Sequence, residues 1–425
     1  MSKIGVIGLG YVGISTALGL GSQGHYVVGL DVDSKKISSY KNKLMPFIEQ
    51  GMDSILEQLT DSGNLVFTDN WANFPRDLEF YFVCVPTPST TEGDAEMAYF
   101  DSALKSISEL VEPGSCVIIK STVPIGTAER TRTLLESKQI SLANNPEFLR
   151  EGTALADFLS PDRIVVGSAS DNIADKVMGL FSNIKTEKLK TTLTSAETIK
   201  YSSNSFLALK LSFANEIARL CESIGADVAE VMKGIGQDHR IGSGFLSPGP
   251  GWGGSCFPKD VRELINLANS KQVNLETVKA ALASNSETQN HIINRAREAV
   301  GGSLESTRVA ILGLAFKAHT DDLRDSPAIE IARKLLAEGA SISAYDPAIT
   351  HSKLEKIDVA PTALEACQGA DLVMVLTEWP EFTELNAQEI LAVVSHKRVI
   401  DCRRVLDSTV WSEHSDYFWQ VGRGL

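Results

Sequence analysis

The chain has 425 residues, enough for two or three domains, and its hydrophobic share of 43% and charged share of 22% are those of an ordinary globular protein. The net charge of −14 argues against a surface that binds nucleic acid or an anionic membrane, but not against a small anionic ligand held by a few cations. No apolar run is long enough to span a bilayer, and a strand pattern starts at the N-terminus, which leaves no room for a signal peptide. We therefore expect a cytoplasmic protein.

The N-terminal part alternates apolar strands with helices. Four strands are predicted, at residues 4–7, 26–30, 80–85 and 116–119. A helix at 15–21 follows the first of them, and this alternation indicates a doubly wound parallel sheet. Three later stretches repeat the pattern, at residues 308–315, 341–346 and 371–376. A second, divergent Rossmann-like domain is therefore predicted from about Thr307 onward.

A long helix is predicted between these domains. Thr194 to Glu197 fit a capping box, no Gly or Pro interrupts the chain before Ile224, and Gly225 can cap the end. Its apolar residues do not fall on one narrow stripe, so we expect burial on several sides, in part against a copy of itself. The prediction is an α/β protein that forms a homodimer or higher homo-oligomer, with two Rossmann-like doubly wound parallel-sheet domains joined by this long central helix and a helical segment. The predicted domain boundaries are 1–193, 194–305 and 306–425.

A dinucleotide site is predicted at the first strand and turn. The sequence GLGYVG, from Gly8 to Gly13, follows a strand and opens a helix, and Asp31 ends the next strand. Gly8 permits the tight turn, Gly10 lets the backbone approach a pyrophosphate, and Gly13 lets helix and strand pack closely. Asp31 would accept hydrogen bonds from a ribose and repel a 2′-phosphate, which favours NAD over NADP. The alternative is a structural turn followed by a coincidental acid.

The second domain carries a weaker form of this turn. Gly313-Leu314-Ala315 lacks the third glycine of the motif. The sequence leaves open whether this turn binds a nucleotide in a less regular way or is purely structural.

Cys256 stands apart from the other five cysteines. It lies in GPGWGGSCFPKD, where four glycines precede it and Pro258 suits the first turn of a following helix. A thiol beside a helix N-terminus, with Lys259 near, should have its thiolate form favoured. The alternative is a buried cysteine in a tight turn. The remaining thiols are interpreted as small core residues: Cys84, Cys116, Cys221, Cys367 and Cys402.

Further polar residues are individually weak signals. Lys200 and Asn204 share a face of the long helix and could stabilise an oxyanion, although such a pair is more often a solvated surface. Thr122 follows a strand at the sheet edge where α/β proteins bind ligands. Glu147 and Glu151 are two carboxylates four residues apart, which ordinary helices also contain.

In their order and spacing, these segments resemble the UDP-glucose/GDP-mannose dehydrogenase family over essentially the whole chain. The matching segments are GLGYVG from Gly8, CVPTP from Cys84, STVPIGT from Ser121, NPEFLREGTA from Asn145, KYSSN from Lys200, GGSCFPKD from Gly253 and GLAFKAHTDDLRDSP from Gly313.

The resemblance implies a role for each matching residue. Cys256 would be the nucleophile, Lys200 and Asn204 the oxyanion-stabilising pair, Asp260 and Thr122 the holders of a water, and Glu147 the residue that assists thioester hydrolysis. The implied NAD contacts are Gly8, Gly10, Tyr11, Val12, Gly13, Asp31, Lys36, Pro86, Thr87, Thr122, Glu151, Lys259 and Arg324. The implied substrate contacts are Glu147, Phe148, Leu149, Lys200, Asn204, Arg240 (across a dimer), Phe245, Gly253, Lys317 and Arg403. No metal is implied.

The implied reaction oxidises the C6 alcohol of a nucleotide sugar, UDP-glucose first, in two steps with two NAD and a thioester on Cys256. GDP-mannose or an N-acetylated UDP-hexosamine is the alternative substrate. Trp252 stands where Tyr or Phe is usual, which could alter packing over the sugar, and Arg404 stands where Asn is frequent. Two rival functions are a one-step β-hydroxyacid-type dehydrogenase, which needs no Cys256, and a catalytically silent nucleotide-binding protein.

Overall fold

In the computed structural model, which describes residues 1–88, 90, 95–349, 354 and 356–424, the chain divides into two units. One comprises Met1–Ser203 with Arg262–Leu267, and the other comprises Asn204–Val261 with Ala268–Leu425. Each unit is built on its own sheet, so the prediction of two sheet domains and a long central helix is confirmed. The three-part division at residues 193 and 305 stays a prediction.

The sheet of the first unit has eight strands. They are β1 (Lys3–Ile7), β2 (Tyr26–Leu30), β3 (Leu65–Thr68), β4 (Phe80–Val83), β5 (Cys116–Ile119), β6 (Ser141–Asn144), β7 (Arg163–Ser168) and β8 (Glu187–Thr191). Their order is β3-β2-β1-β4-β5-β6-β7-β8. Neighbouring strands are parallel except for β6 and β7, so the predicted parallel sheet is confirmed and carries one antiparallel junction.

Helices cover both faces of this sheet. They are α1 (Tyr11–Ser22), α2 (Ser34–Lys41), α3 (Met52–Asp61), α4 (Ala98–Leu110), α5 (Thr127–Glu136), α6 (Ala154–Leu159) and α7 (Asp171–Gly179), with a short 3-10 helix at Trp71–Asn73. Strand residues divide between two apolar clusters by alternation, with Ile118 in one and Val117 and Ile119 in the other. Burial on both faces explains why these strands are continuous apolar runs rather than alternating ones.

The long helix α8 (Leu193–Ile224) has 32 residues and ends, as predicted, before Gly225, whose φ is +77°. Its predicted capping box was wrong. The N-terminal cap is Thr192, whose Oγ1 accepts the Ser195 N–H at 3.1 Å. The Glu197 carboxylate instead accepts the N–H groups of Gly126 and Ala128, at 2.6 and 2.8 Å, at the start of α5. A side chain on one helix therefore caps another, a contact that local spacing cannot reveal.

Because a buried carboxylate caps α5, we expect the stability of the fold to depend on pH. Burial raises the pKa of Glu197 to about 7, against the opposing effect of the two N–H groups. The Glu197 carboxyl therefore binds its proton more tightly in the folded state than in the unfolded chain. Its contribution to the free energy of unfolding is complete below about pH 4.5 and is lost as the pH rises through about 7. Glu197→Gln removes the titration. We therefore expect the unfolding temperature of the variant minus that of the wild type to increase between about pH 4.5 and pH 7. A difference that does not change with pH would contradict this.

The second unit begins on α8 and carries three further helices before its sheet. They are α9 (Val228–Gly236), α10 (Phe257–Ser270, in part) and α11 (Glu276–Val300). The six-stranded sheet is all parallel, in the order β11-β10-β9-β12-β13-β14. Its strands are β9 (Arg308–Leu312), β10 (Ser341–Tyr345), β11 (Ile357–Val359), β12 (Leu372–Val375), β13 (Arg398–Asp401) and β14 (Tyr417–Gln420). Its helices are α12 (Pro327–Ala337), α13 (Ala363–Cys367), α14 (Pro380–Thr383), α15 (Ala387–Val393) and α16 (Ser408–His414). This strand order is the Rossmann order, as predicted.

Among the described residues, none of the helices combines the length and the apolar character that crossing a bilayer requires.

Candidate active site

The glycine turn after β1 has the geometry that a dinucleotide site needs. Gly8 has φ +83°, and a Cβ at Gly13 would lie 1.8 Å from the Gly8 carbonyl oxygen, so both positions require glycine. A Cβ at Gly10 would meet no atom within 4 Å, so this side of the turn is open to a ligand. Helix α1 begins at Tyr11, four residues earlier than predicted, and directs its first N–H groups at this turn.

Asp31 is fixed at the end of β2 beside this turn. Its Oδ2 accepts the Leu9 N–H at 2.7 Å and lies 2.8 Å from Lys36 Nζ, and its Oδ1 accepts the Asp33 N–H at 3.0 Å. The carboxylate is thus held in one orientation, with one lysine beside it. An open glycine, a helix N-terminus and a fixed acid fit NAD.

The loops after β4 and β5 join at the same edge of the sheet. The Thr87 hydroxyl donates to the Thr122 carbonyl oxygen at 2.7 Å, and the Ser121 hydroxyl donates to the Val85 carbonyl oxygen at 2.7 Å. Predicted cofactor residues from two separate segments are therefore brought together.

Glu49 organises the turn that carries Glu151, and sequence reasoning missed it. Its carboxylate accepts the hydroxyl of Tyr11 and the N–H groups of Gly152 and Ala154, the latter two at 2.7 Å each. Tyr11 of the glycine motif is thereby tied to the turn at Glu151. The partners are 38 to 105 residues from Glu49 along the chain, and no local pattern marks it.

Glu147 and Lys200 form a buried ion pair in the first unit. Lys200 Nζ donates to Glu147 Oε1 at 2.6 Å, and Glu147 Oε2 accepts the Leu149 N–H at 2.6 Å. Burial alone would raise the pKa of Glu147, but the Lys200 ammonium, the Leu149 N–H and Lys120 outweigh it and lower the pKa. Glu147 is therefore held as a carboxylate. Two predicted catalytic residues meet here.

Two cations lie near the Phe148 ring. The Arg163 guanidinium is 4.0 Å from the centre of its ring, and Lys200 Nζ is 5.7 Å from it. Arg163 also donates to the Ser203 hydroxyl at 3.0 Å. This predicted substrate residue is thus held by a cation–π contact that the sequence did not indicate.

In the second unit, Cys256 stands at the start of α10. Its carbonyl oxygen accepts the Asp260 N–H at 2.9 Å, which makes it the residue that caps the helix, and Pro258 lies in the first turn as predicted. The residue is half-buried, and its Sγ is 3.6 Å from the Ser255 hydroxyl. The other five cysteines are buried, so their interpretation as core residues is confirmed.

The Asp260 carboxylate contacts two other predicted site residues. Its Oδ2 accepts the Asn204 amide at 2.5 Å, and its Oδ1 lies 3.0 Å from Lys259 Nζ. Asp260 is 1% exposed. Three predicted site residues are thus brought together: Asn204 of α8, and Lys259 and Asp260 of the first turn of α10.

Arg403 is held against backbone carbonyls. Its guanidinium donates to the oxygens of Leu376 and Phe316, at 3.0 and 3.2 Å, and its Nε lies 3.1 Å from Glu378 Oε2. A Cβ at Gly249 would be 3.0 Å from Arg403 Nη1, so that glycine makes room for the arginine. The next residue after Phe316, Lys317, has its ammonium 5.5 Å from the centre of the Phe316 ring.

Three predicted contacts lie nearer to solvent. Arg240 and Arg324 are exposed, and each forms a bidentate pair with the aspartate two residues before it. Phe245 has φ +60°, which is unusual for a bulky residue, and its ring is 6.2 Å from that of Phe257.

Comparisons with known proteins identify the family. Three domain models of the UDP-glucose/GDP-mannose dehydrogenase family match the chain: the NAD binding domain at residues 2–185, the central domain at 194–287 and the UDP binding domain at 310–408. The chain belongs to this family.

Relatives and solved structures of the family agree along the whole chain. UDP-glucose 6-dehydrogenase of Rickettsia typhi is 39% identical over 430 residues, covering 99% of each chain, and UDP-glucose 6-dehydrogenase YwqF of Bacillus subtilis is 40% identical over 391 residues, covering 90% of this chain and 89% of its own. The structure of a UDP-glucose dehydrogenase from Pyrobaculum islandicum matches with a TM-score of 0.91 at 32% identity, covering 100% of this chain and 98% of that one. This chain is thus an NAD-dependent oxidoreductase of the UDP-glucose/GDP-mannose dehydrogenase family.

The second glycine turn of this family member differs from the first. A Cβ at Gly313 would be 2.4 Å from that of Thr377, and no helix opens at the turn, since α12 starts only at Pro327. Asp346, the counterpart of Asp31, accepts the N–H groups of Leu314 and Ala315 and the indole of Trp379 on one oxygen. These contacts fix the turn within the second unit, and whether it also binds a nucleotide stays a prediction.

Two departures from the family pattern have clear local surroundings. The Trp252 side chain is buried and its indole donates to the Ser212 hydroxyl at 2.9 Å; an effect of Trp252 on packing over the sugar stays a prediction. Arg404 has φ +57°, a region that suits Asn, and its guanidinium pairs with both oxygens of Asp227 at 3.0 and 2.8 Å.

The glycines before Cys256 serve packing. A Cβ at Gly253 would be 2.0 Å from the Asp325 carbonyl oxygen, and Gly251 and Gly254 have φ of +112° and +82°.

Proposed function

We propose that this enzyme oxidises UDP-glucose at C6 to UDP-glucuronate, with four electrons transferred and a thioester on Cys256. The observation that carries the proposal is the half-buried Cys256 at the start of α10, whose carbonyl oxygen accepts the Asp260 N–H while the Asp260 carboxylate contacts Asn204 and Lys259. A simple alcohol dehydrogenase needs no nucleophile at such a position. The names of the relatives, UDP-glucose 6-dehydrogenases, support the same reaction.

The cofactor would be held by the turn at Gly8–Gly13, the carboxylate of Asp31 and the loops at Thr87 and Thr122. NAD, when bound, accepts a hydride in each oxidation. In the first oxidation, the C6 hydroxyl loses its proton to a water that Asp260 and Thr122 hold. The product of this step is an aldehyde.

The aldehyde has no hydride to give until a nucleophile adds to its carbonyl carbon. Cys256 Sγ adds there and forms a thiohemiacetal, while the Lys200 ammonium and the Asn204 amide stabilise the oxyanion. The second oxidation converts the thiohemiacetal into a thioester. Water then cleaves the C–S bond with the help of the Glu147 carboxylate, releasing the carboxylate product and the thiol.

The UDP-sugar would be held by the second group of predicted contacts: Phe148, Leu149, Arg240, Phe245, Gly253, Lys317 and Arg403. Solved structures support a UDP-sugar over GDP-mannose. The Pyrobaculum islandicum UDP-glucose dehydrogenase and the Pyrococcus horikoshii UDP-D-ManNAc dehydrogenase match with TM-scores of 0.91 and 0.88, and the Pseudomonas aeruginosa GDP-mannose dehydrogenase with 0.55.

Substrate choice is tested by kcat/KM for UDP-glucose, GDP-mannose and N-acetylated UDP-hexosamines at saturating NAD. We expect UDP-glucose to exceed the others by about 10²-fold or more, because a pocket that fits one sugar leaves polar groups unpaired with another. A higher value for GDP-mannose or an N-acetylated sugar would keep the chemistry and correct the substrate.

Cofactor preference is tested at Asp31. Lys36 Nζ already lies 2.8 Å from the Asp31 carboxylate. In Asp31→Asn, the amide oxygen can still accept the Leu9 N–H, but the negative charge is gone and Lys36 is available to a 2′-phosphate. We expect the ratio of kcat/KM for NADP to that for NAD to rise by about 10- to 100-fold, the value of one charge-assisted hydrogen bond. An unchanged ratio would contradict the assignment.

We also propose a homodimer formed through α8. Phe206, Phe213, Leu220 and Ile224 are exposed on this helix at spacings of seven, seven and four residues, which places them on one stripe. A second copy would cover that stripe. We expect the wild type to have the mass of a dimer or larger oligomer in solution, and Phe213→Glu to have a smaller mass. Val410→Glu, at an exposed apolar residue outside α8, is the control and should keep the wild-type mass. A monomeric wild type would contradict this.

The domain division of 1–193, 194–305 and 306–425 is part of the same proposal. The matched family domains, at 2–185, 194–287 and 310–408, support it.

A further inference from the structure

Lys120 is a buried lysine that the reaction described above does not use. It follows β5 directly and is 5% exposed. Its Nζ donates to Asn145 Oδ1 at 3.0 Å and lies 3.5 Å from the Asn145 carbonyl oxygen. Burying a lysine ammonium is costly unless a specific partner binds it, so the burial of Lys120 needs a structural or functional reason.

The partner of Lys120 fixes the segment that carries Glu147. The Asn145 N–H donates to the Ile119 carbonyl oxygen at 2.9 Å, and its side-chain amide donates to the Val165 carbonyl oxygen at 2.8 Å. Lys120 occupies the remaining side-chain oxygen. Every polar group of Asn145 is thus bonded, two residues before Glu147.

Lys120 also acts on Glu147 through charge. Burial lowers the pKa of Lys120 to about 8, with Lys200 acting in the same direction and Cys84 and Glu147 opposing it. Those three groups, from the β4 loop, the β6 loop and α8, are the titratable groups that act on it. In return, Lys120 helps Lys200 to lower the pKa of Glu147.

We propose that Lys120 is a positioning residue for Glu147: through Asn145 it fixes the segment that carries this carboxylate, and with Lys200 it supplies the positive charge that the carboxylate faces. The inference rests on the proposed role of Glu147 in hydrolysis. In that step, a water oxygen bonds to the thioester carbon, the C–S bond breaks, the sulfur leaves as a thiolate, and Glu147 takes a proton from the water. Only ionised Glu147 can take it, so Lys120 should matter most in this step.

The test compares Lys120→Met, Lys120→Gln and Lys120→Arg. Glutamine keeps a donor for Asn145 without the charge, and arginine keeps the charge. Lys188→Met is the control for removing a lysine of the same unit that is exposed and donates to a carbonyl oxygen, that of Phe181, at 2.7 Å. Rapid mixing with UDP-glucose and excess NAD separates the NADH burst from the slower turnover that follows, and acid quenching measures the thioester that accumulates.

We expect Lys120→Met and Lys120→Gln to slow thioester hydrolysis by about tenfold at neutral pH, while the rate of the NADH burst stays within about threefold of wild type. The acid limb of the pH–rate profile of hydrolysis should move up by about one pH unit. Lys120→Arg should return the acid limb of that profile to its wild-type position, and Lys188→Met should behave as wild type. If Lys120→Met does not fold, the comparison of Lys120→Gln with Lys120→Arg tests the proposal.

Two results would overturn the inference: an acid limb that stays in place in the folded uncharged variants, or equal slowing of the burst and of hydrolysis, which marks a merely structural role. A wild type that yields one NADH per sugar and no thioester is a different failure. It would overturn the proposed function itself, whatever the Lys120 variants do.

Discussion

Cys256→Ser is expected to lower net turnover of UDP-glucose by at least about 10³-fold. The serine hydroxyl is a much weaker nucleophile than a thiolate at neutral pH, and the ester that it would form is cleaved more slowly than a thioester. We expect the thioester to disappear from the acid-quenched protein, so that any covalent adduct that remains is the slowly cleaved serine ester. Steady-state NADH formation and intact-mass measurement of the quenched protein provide the two readouts.

The other thiols supply the control. Burial raises the pKa of Cys84, Cys116 and Cys367 to about 12 each, so these groups should not react quickly with iodoacetamide. One rapidly labelled thiol in the wild type and none in Cys256→Ser would identify the reactive residue. Wild-type turnover in Cys256→Ser, or rapid labelling at another site, would contradict the assignment.

Lys200→Met is expected to lower kcat by about 10²- to 10³-fold, the usual effect of losing one oxyanion donor. The same change leaves Glu147 buried without its ion-pair partner, since the two atoms are 2.6 Å apart in the native chain. Breaking such a pair from one side costs about 3–5 kcal/mol of stability. Chemical denaturation and steady-state kinetics measure the two effects separately.

A double variant distinguishes catalysis from stability here. Lys200→Met with Glu147→Gln removes both charges, so we expect it to regain much of the lost stability while remaining inactive. Recovery of activity along with stability would mean that Lys200 only holds the fold.

The parts of the fold that depend on local pattern were predictable. The strands Tyr26–Leu30, Cys116–Ile119 and Arg308–Leu312 begin and end near the predicted residues, because continuous apolar runs bounded by polar residues mark strands buried on both faces. The glycine motif was equally informative, since each of its positions has a steric reason that does not depend on distant residues.

The parts that depend on contacts between distant segments were not predictable. Glu197 fits a capping box but caps α5, about 70 residues away, and no local pattern marks Glu49. Lys120 stands between a predicted strand and the STVPIGT segment, but neither pattern indicates its partner Asn145. The antiparallel placement of β7 also escaped prediction, because an apolar run does not record its direction in the sheet. Partners set by tertiary structure leave little trace in local spacing.

The measurement that tests the central claim most directly is the number of NADH formed per UDP-glucose consumed by the wild-type enzyme, with the sugar product identified by mass. Two NADH per sugar and UDP-glucuronate as the product are the predicted result, with a Cys256-dependent thioester as the intermediate. One NADH per sugar, unaffected by Cys256→Ser, would contradict the thioester route and the four-electron reaction.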